Sequence, residues 1–358
     1  MRYAMIMAGG VGTRLWPFSR SRRPKQLLPL FDGRSLLEIA TDRLEGIVEP
    51  NRRLICTAER FRGVVEETLG AITVLGEPCG RDTLNAVGLT AAVLEREDPD
   101  AVFAVLTADH IITPQEEFAR AAELGFALVE ANPSRFVTFG ITPTHPATGY
   151  GYVNRGAPIE AFEGTFEANG FKEKPDLETA RSYVDAGTYS WNSGMFVFSA
   201  RAVLEALDRF QPENAAGLRR IGADWNAGAQ PRQATLEEVY PTLPKISVDY
   251  GLMEPAATND QYQICVVPMA VDWKDVGSWP SYAETLDAAT DGNRTSGAST
   301  LLDCRNVLAV SDDPNRVVTA IGCEDLIIVS TGDAILVCPA DRAEDVKRLA
   351  GEVPESHR

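Results

Sequence analysis

Glycines, cations and a few isolated acids carry the chemistry that this sequence can offer. The stretch MAGGVGTRLWPFSRSRRPKQ (Met7 to Gln26) holds Gly9, Gly10, Gly12 and Thr13, followed by Arg14, Arg20, Arg22, Arg23 and Lys25. A glycine loop behind an apolar run presents backbone N–H groups that can face phosphate oxygens. Arg14 can fork onto a phosphate, and Lys25 can act on it as a point charge. The loop is not a P-loop, because the chain has no Gly-Lys dipeptide. It is not a plain dinucleotide fingerprint either: Gly10-Val11-Gly12-Thr13-Arg14-Leu15 ends in Leu where the third glycine belongs. The competing reading is a tight turn with a solvated basic stretch. Lysine is used sparingly: Lys+Arg total 34, but the lysines are Lys25, Lys172, Lys174, Lys245, Lys274 and Lys347 alone. Arginine therefore serves as the generic surface cation, and the positions that keep lysine need its compact, mobile ammonium.

Acids stand at two informative places. LTADH (Leu106 to His110) ends an apolar run with Asp109, and WKDVGSW sets Asp275 between Trp273 and Trp279. In an open α/β sheet, ligands sit at the carboxyl ends of strands. A carboxylate there can hold Mg²⁺, a hard cation that bridges phosphates; a turn or helix-cap role is the alternative. In FKEKP (Phe171 to Pro175), Lys172 and Lys174 share one face and Glu173 takes the other, provided the strand persists.

The elements that must position these residues alternate along the first half. Tyr3–Met7, Arg53–Cys56, Ile72–Leu75, Ala101–Thr107 and Phe136–Ile141 read as short apolar strands. Helices are expected between them at Ser35–Leu44, Phe61–Leu69, Thr83–Arg96 and Phe118–Asn132. Repeated β-α-β units predict a parallel-type sheet covered on both faces. Hairpin-like strands follow at Tyr150–Asn154 and Thr165–Lys172, then a helix at Leu177–Ala186 and a strand at Trp191–Ser199. Residues 200–244 read as helical and polar, Gln261–Met269 as a strand and Ser278–Ala289 as a helix. Past a turn-rich stretch at 291–296, five closely spaced short strands between Thr300 and Pro339 predict a small all-β unit. Arg342–Ala350 is the closing helix. The expected division is 1–289 and 290–358.

Composition narrows the function. A chain of 358 residues, 44% hydrophobic, can bury a large core. A net charge of -17 argues against nucleic acid, whose phosphates need a basic face. A small phosphorylated substrate remains compatible, because a local basic pocket can sit in an acidic protein. No apolar run approaches the roughly 20 residues that span a bilayer, and the N-terminus lacks a signal-peptide layout. A cytoplasmic protein without membrane contact is expected. The six cysteines include no C-x-x-C pair and there are three histidines, so neither a zinc cluster nor a disulfide framework is expected.

The residues Gly9 to Gln26 resemble the N-terminal signature of the mannose-1-phosphate guanylyltransferases, G-G-x-G-T-R-L-W-P-x-S-R-x-x-x-P-K-Q, within the sugar-nucleotide pyrophosphorylases. Leu27 stands where that family usually has Phe. TGYGY (Thr148 to Tyr152), FKEKP and WNSGMF (Trp191 to Phe196) resemble its sugar-side stretches, with Lys172 replacing the usual Val. GEPCGRDTLNA (Gly76 to Ala86) resembles the base-side loop, with Leu84 and Asn85 in place of Ala and Pro. KISVDYGLME (Lys245 to Glu254) also matches, without giving Asp249 a role. The resemblance runs through DAILVCPADRAEDVK (Asp333 to Lys347), and the isomerase domain that some bacterial members carry is not expected.

The resemblance implies an α/β fold: a Rossmann-like nucleotidyltransferase domain with a mixed, mostly parallel sheet, plus a small C-terminal left-handed β-helix-like domain that pairs subunits into a homodimer. It implies GTP and α-D-mannose 1-phosphate as substrates and Mg²⁺ on Asp109 and Asp275. Arg14, Lys25, Asp109 and Asp275 take the catalytic roles. Gly9, Gly10, Gly12 and Thr13 hold the pyrophosphate end. Glu77, Arg81 and Thr83 lie on the base side; Gly149, Glu173, Lys174 and Asn192 lie on the sugar side. Two other functions stay open at this point: the same transfer with another nucleotide and a glucose-type phosphate, and a non-catalytic subunit that senses GDP-mannose.

Overall fold

The computed structural model describes residues Met1–Arg358. The chain divides into two compact units: Met1–Gly9, Ala40–Ala108 and Ile112–Trp273 form the first; Gly10–Ile39, Asp109–Ile111 and Lys274–Arg358 form the second. No helix is long and apolar enough to cross a membrane.

The strands of the first stretch are β1 (Arg2–Met7), β2 (Arg53–Ala58), β3 (Thr73–Glu77) and β4 (Val102–Thr107). A short strand, β5 (His110–Thr113), follows. Then come β6 (Arg135–Ile141), β7 (Tyr152–Pro158), β8 (Phe166–Lys172), β9 (Tyr189–Ser199) and β10 (Gln263–Met269). The last is β11 (Asp272–Asp275), which pairs with β5 in a two-stranded ribbon. The other nine form one sheet in the order β3-β2-β1-β4-β9-β6-β10-β8-β7. Pairing is parallel across β3-β2-β1-β4 and between β6 and β10. β9 runs against β4 and β6, and β8 against β10 and β7. Seven of the nine strands thus point one way, a mixed, mostly parallel sheet.

Burial on both faces explains the near-continuous apolar strands. Phe103, Phe136, Phe196 and Phe198 are all fully buried, and Phe136 meets Phe198 edge to face at 5.2 Å. Helix Asp82–Glu97 buries every residue from Leu84 to Leu94. Glycines let its neighbours approach: a Cβ at Gly222 would lie 2.9 Å from the Ala92 carbonyl oxygen. The segment read as polar helices, 200–244, is helical but only partly polar. Helix Ala200–Phe210 buries Ala202, Val203, Leu204, Ala206 and Leu207 along one stripe and keeps its charges on the other.

The second unit contains the tail strands β12 (Arg294–Ser296), β13 (Ser299–Leu302), β14 (Leu308–Ser311), β15 (Val318–Ile321), β16 (Leu326–Ser330) and β17 (Ile335–Pro339). β12-β14-β16 and β13-β15 stack in parallel register, Leu308 on Ile327 and Leu302 on Ile321, and β17 closes the stack antiparallel. Such parallel rungs are those of a β-helix. At one corner the buried Asn293 side chain donates to the Cys304 carbonyl and accepts the Val307 N–H, both at 2.9 Å. The core joins Trp16, Phe18 and Leu28 to Trp279, Tyr282, Val310 and Val329. The helix expected at Ser278–Ala289 covers only Trp279–Ala283. Gly292 and Asp291 impose a turn soon afterwards, and Ala289 already bonds to Asn293. The closing helix begins as a 3₁₀ segment, Ala340–Asp345, and becomes α-helical only over Val346–Glu352.

Trp279 is fully buried, and its indole N–H donates to the Trp16 carbonyl at 2.9 Å. Trp279→Ala is expected to lower stability by about 3–5 kcal/mol, read from urea unfolding of the full chain; a loss below about 1 kcal/mol would contradict this packing.

Candidate active site

The second unit gathers a charge cluster from three distant parts of the chain. Gly10 and Gly12 adopt left-handed backbone at φ +85° and +73°, a conformation strained for other residues. A Cβ on Gly12 would lie 2.6–2.7 Å from Lys25 Cβ, Cγ and Cδ, so the lysine stem runs directly across the glycine. The Lys25 N–H bonds to the Val11 carbonyl, and Ser19 Oγ donates to the Gly12 carbonyl at 2.7 Å. These contacts deliver a buried ammonium. Lys25 Nζ donates to Asp109 Oδ2 at 2.7 Å and to the Val276 carbonyl at 3.0 Å. The Val276 N–H in turn donates to the Asp109 carbonyl at 2.9 Å.

Asp109, His110 and Asp275 each offer a ligand atom, and these atoms lie within 4.8 Å of one another. His110 Nε2 is 3.8 Å from Asp109 Oδ1. Burial raises the Asp109 pKa, but Lys25 and then His110 outweigh it and hold the carboxyl below its usual range. Asp275 goes the other way: burial pushes it up, and the Asp109 charge adds to the push. Two carboxylates crowded so closely suit a hard divalent cation such as Mg²⁺, which relieves their repulsion. Arg14 borders the cluster. A side chain at Gly277 would stand 3.4 Å from Arg14 Nη1 and 3.5 Å from Asp275 Oδ1, so glycine keeps that space open. Arg14 Nε also pairs with Glu344 at 3.2 Å, and Thr13 opens the 3₁₀ turn that carries Arg14.

The first unit holds Gly9 and the residues expected on the base and sugar sides. Glu77 ends β3; it is buried, and Oε1 accepts the Tyr240 hydroxyl at 2.6 Å. Burial pushes its pKa up, against the pull of that hydrogen bond. Arg81 stands at the start of helix Asp82–Glu97, and its carbonyl accepts the Asn85 side chain at 2.7 Å. Thr83 Oγ1 accepts the Val248 N–H at 2.9 Å. Leu84 and Asn85, the departures from the family pattern, are both buried. Asn85 Nδ2 also donates to the Pro244 carbonyl, and Asn85 Oδ1 accepts from Asn214 at 2.8 Å. The departure thus serves a buried polar link to the 244–248 segment.

On the sugar side, a Cβ on Gly149 would meet nothing within 4 Å, whereas one on Gly151 would lie 2.5 Å from Glu173 Oε2 and 3.2 Å from Asn192 Cβ. Gly151 is therefore the point where Glu173 and Asn192 converge. β8 ends at Lys172, and Lys174 takes left-handed backbone at φ +43°. The alternation that would have placed Lys172 and Lys174 on one face stops there. Lys172 Nζ lies 3.5 Å from Glu254, whereas Lys174 Nζ pairs with Glu173 Oε1 at 2.9 Å. That Glu173 contact raises the Lys174 pKa. Asn192 Nδ2 donates to Asp249 Oδ1 at 2.8 Å. Asp249 is pushed up to about 7, by burial first and by Glu173 second.

Tyr240, Asp249, His110 and Glu344 join these clusters without having been singled out by residue type. An acid inside the apolar stretch SVDYGLM was the available signal for Asp249; a buried tyrosine carries none.

Residues 3–292 match the family described as nucleotidyl transferase, and residues 297–353 match the MannoseP isomerase/GMP-like beta-helix domain. The chain is 38% identical over 366 residues to a mannose-1-phosphate guanylyltransferase from Escherichia coli, covering 100% of this chain and 75% of that protein. It is 36% identical over 361 residues to the xanthan biosynthesis protein XanB from Xanthomonas campestris pv. campestris (strain B100), covering 99% of this chain and 73% of that one. Among solved structures, a protein from Thermus thermophilus described as mannose-1-phosphate geranyltransferase superposes with a TM-score of 0.85 at 34% identity, covering 98% of both chains. A UDP-glucose pyrophosphorylase complexed with UDP-glucose shares the fold at TM-score 0.54 and 16% identity, over 79% of this chain and 96% of that one.

Asp249 provides an electrostatic check on the buried sugar-side geometry. Its native pKa, about 7, lies above the unfolded 3.8, so the folded state holds the extra proton between these values. Stability therefore falls as pH rises through that window and stays low above it. Asp249→Asn removes the titration. Its stability relative to wild type is expected to rise by about 3 kcal/mol between pH 5 and pH 8, measured by urea unfolding; a constant difference would contradict the burial of the charge.

Proposed function

The chain belongs to the nucleotidyl transferase family, in the branch of the mannose-1-phosphate guanylyltransferases, and on that premise we propose that it transfers GMP from GTP to α-D-mannose 1-phosphate. The observation that carries this reading is the convergence of Asp109 and Asp275 beside Lys25, from three separate parts of the sequence. A phosphate oxygen of the sugar phosphate attacks the α-phosphorus of GTP. The new P–O bond forms as the bond between the α-phosphorus and the oxygen bridging to the β-phosphorus breaks, giving GDP-mannose and pyrophosphate. The nucleophile is already an anion, so no general base is required, and catalysis rests on positioning and charge neutralisation.

Lys25 and Arg14 carry the leaving pyrophosphate, with the amides of Gly10, Gly12 and Thr13 facing its oxygens and Gly9 leading into the loop. Lys174 carries the incoming phosphate, and Glu173 accepts from sugar hydroxyls. Glu77, backed by Tyr240, suits the N1–H and N2–H₂ donors of guanine, with Arg81 and Thr83 shaping the loop that bears them. Asp109 and Asp275 are the residues that would hold Mg²⁺, which when bound supplies neutralisation of the α-phosphate charge. The reading carries with it a homodimer acting in the cytoplasm.

The test is release of pyrophosphate, with matching formation of GDP-mannose, by the purified chain given GTP, Mg²⁺ and mannose 1-phosphate. Faster turnover of UTP, dTTP or ATP with glucose 1-phosphate would overturn the substrate pair; no turnover with any pair would favour a non-catalytic sensor. Asp109→Ala is expected to lower kcat at least 100-fold without unfolding, checked by circular dichroism alongside the assay. Lys25→Arg is expected to be comparably severe, because a planar fork cannot occupy the slot between Gly12, Asp109 and Val276. Near-normal turnover in either variant contradicts the assigned role.

A further inference from the structure

Asp249 is a half-buried acid that the transfer reaction leaves without a task. It begins a single π-helical turn, Asp249–Met253, closed by the bond from the Glu254 N–H to the Asp249 carbonyl. Such turns are rare and recur at functional sites. Asp249 and Glu254, the residue that follows the turn, both meet the sugar side. Asp249 Oδ1 accepts Asn192 Nδ2 at 2.8 Å, and Glu254 Oε1 accepts the Glu173 N–H at 3.1 Å.

The orientation of the Asn192 amide follows from its neighbours. The Gly194 N–H, 3.2 Å away, can only donate, so the atom it faces is Oδ1. Thr138 Oγ1 donates to the same oxygen at 2.7 Å. Both lone pairs of Oδ1 are thereby used, and one N–H of Nδ2 goes to Asp249. The second N–H is what the amide has left to offer. Glu173 Oε2 and the Asn192 side chain meet around Gly151, where the missing Cβ leaves room. A donor next to a carboxylate can serve a single hydroxyl, which accepts from the first and donates to the second.

We infer that Asp249 is a positioning residue: it fixes Asn192 as a hydrogen-bond donor to the same hexose hydroxyl whose proton goes to Glu173. This rests on the reading of Glu173 and Lys174 as the sugar-phosphate side. Asp249 itself acts through Asn192, and the role requires an acceptor at position 249 rather than a charge.

The test compares wild type, Asp249→Ala and Asp249→Asn in steady-state kinetics with GTP and mannose 1-phosphate varied separately. Asp249→Ala is expected to raise KM for the sugar phosphate about ten-fold, the cost of one lost oriented hydrogen bond, and to leave KM for GTP within about two-fold. Asp249→Asn keeps an oxygen for Asn192 and is expected to restore the sugar-phosphate KM to within about three-fold of wild type. Asp249→Leu, which fills the volume without an acceptor, carries the same expectation as Ala should Ala fail to fold. An unchanged sugar-phosphate KM in the Ala or Leu variant overturns the inference. So does an equal rise in both KM values, or an Asn variant as impaired as Ala. Calorimetric binding of mannose 1-phosphate to the same proteins carries the comparison without turnover. An inactive wild type that still binds the sugar phosphate therefore counts against the catalytic reading alone.

Discussion

Two carboxylates crowded together and only partly open to water are the constraint on which the second unit is organised. Each resists ionisation when buried, and each resists it more beside the other. Lys25 settles the matter for Asp109 by placing an ammonium 2.7 Å from it. Asp275 keeps the strain, its pKa lifted by burial and by its neighbour. The lysine must itself be held, which explains the Val276 carbonyl on its far side and the stem laid across Gly12. Glycine at 12 is thus a packing requirement as well as a backbone one, and the compact ammonium is a requirement of the slot.

The first unit uses another device. One stretch, Tyr240 to Glu254, supplies partners to residues assigned to both base and sugar. Tyr240 holds Glu77, the Pro244 carbonyl receives Asn85 and Asn214, and the Val248 N–H reaches Thr83. Asp249 and Glu254 then secure Asn192 and Glu173. Half of these bonds end on an acid and half are neutral, most in part-buried surroundings, where losing either partner leaves the other unsatisfied. Base-side and sugar-side residues therefore share a support that is contiguous in sequence, although they themselves are not.

The strands of the parallel half were legible because burial on both faces leaves short apolar runs bounded by turns, as in Tyr3–Met7 and Ala101–Thr107. Asp109 was legible from its place just past such a run, and the glycine loop from its spacing. The strands β5 and β11 were not: four residues each, mixed in polarity, they exist because each pairs with the other. The polar-looking segment 200–244 misled because helix Ala200–Phe210 hides a buried apolar stripe behind its charges, and composition averages over both faces. Lys174 broke the strand alternation through a left-handed backbone that no residue type announces. Asp249 and Tyr240 needed the tertiary fold, since their meaning lies in partners 57 and 163 residues away.

The bonds of Lys25 reach across 84 and 251 residues of chain. Contacts of such separation are late events in folding, because the loops they close cost entropy before the contact repays it. A nascent chain emerging N-terminus first holds the glycine loop and its lysine long before Val276 leaves the ribosome. Until then the ammonium lacks the carbonyl that anchors its far side, so the cluster cannot mature piecemeal. Competence for phosphate chemistry therefore waits until the segment bearing Asp275 and Val276 has joined the glycine loop.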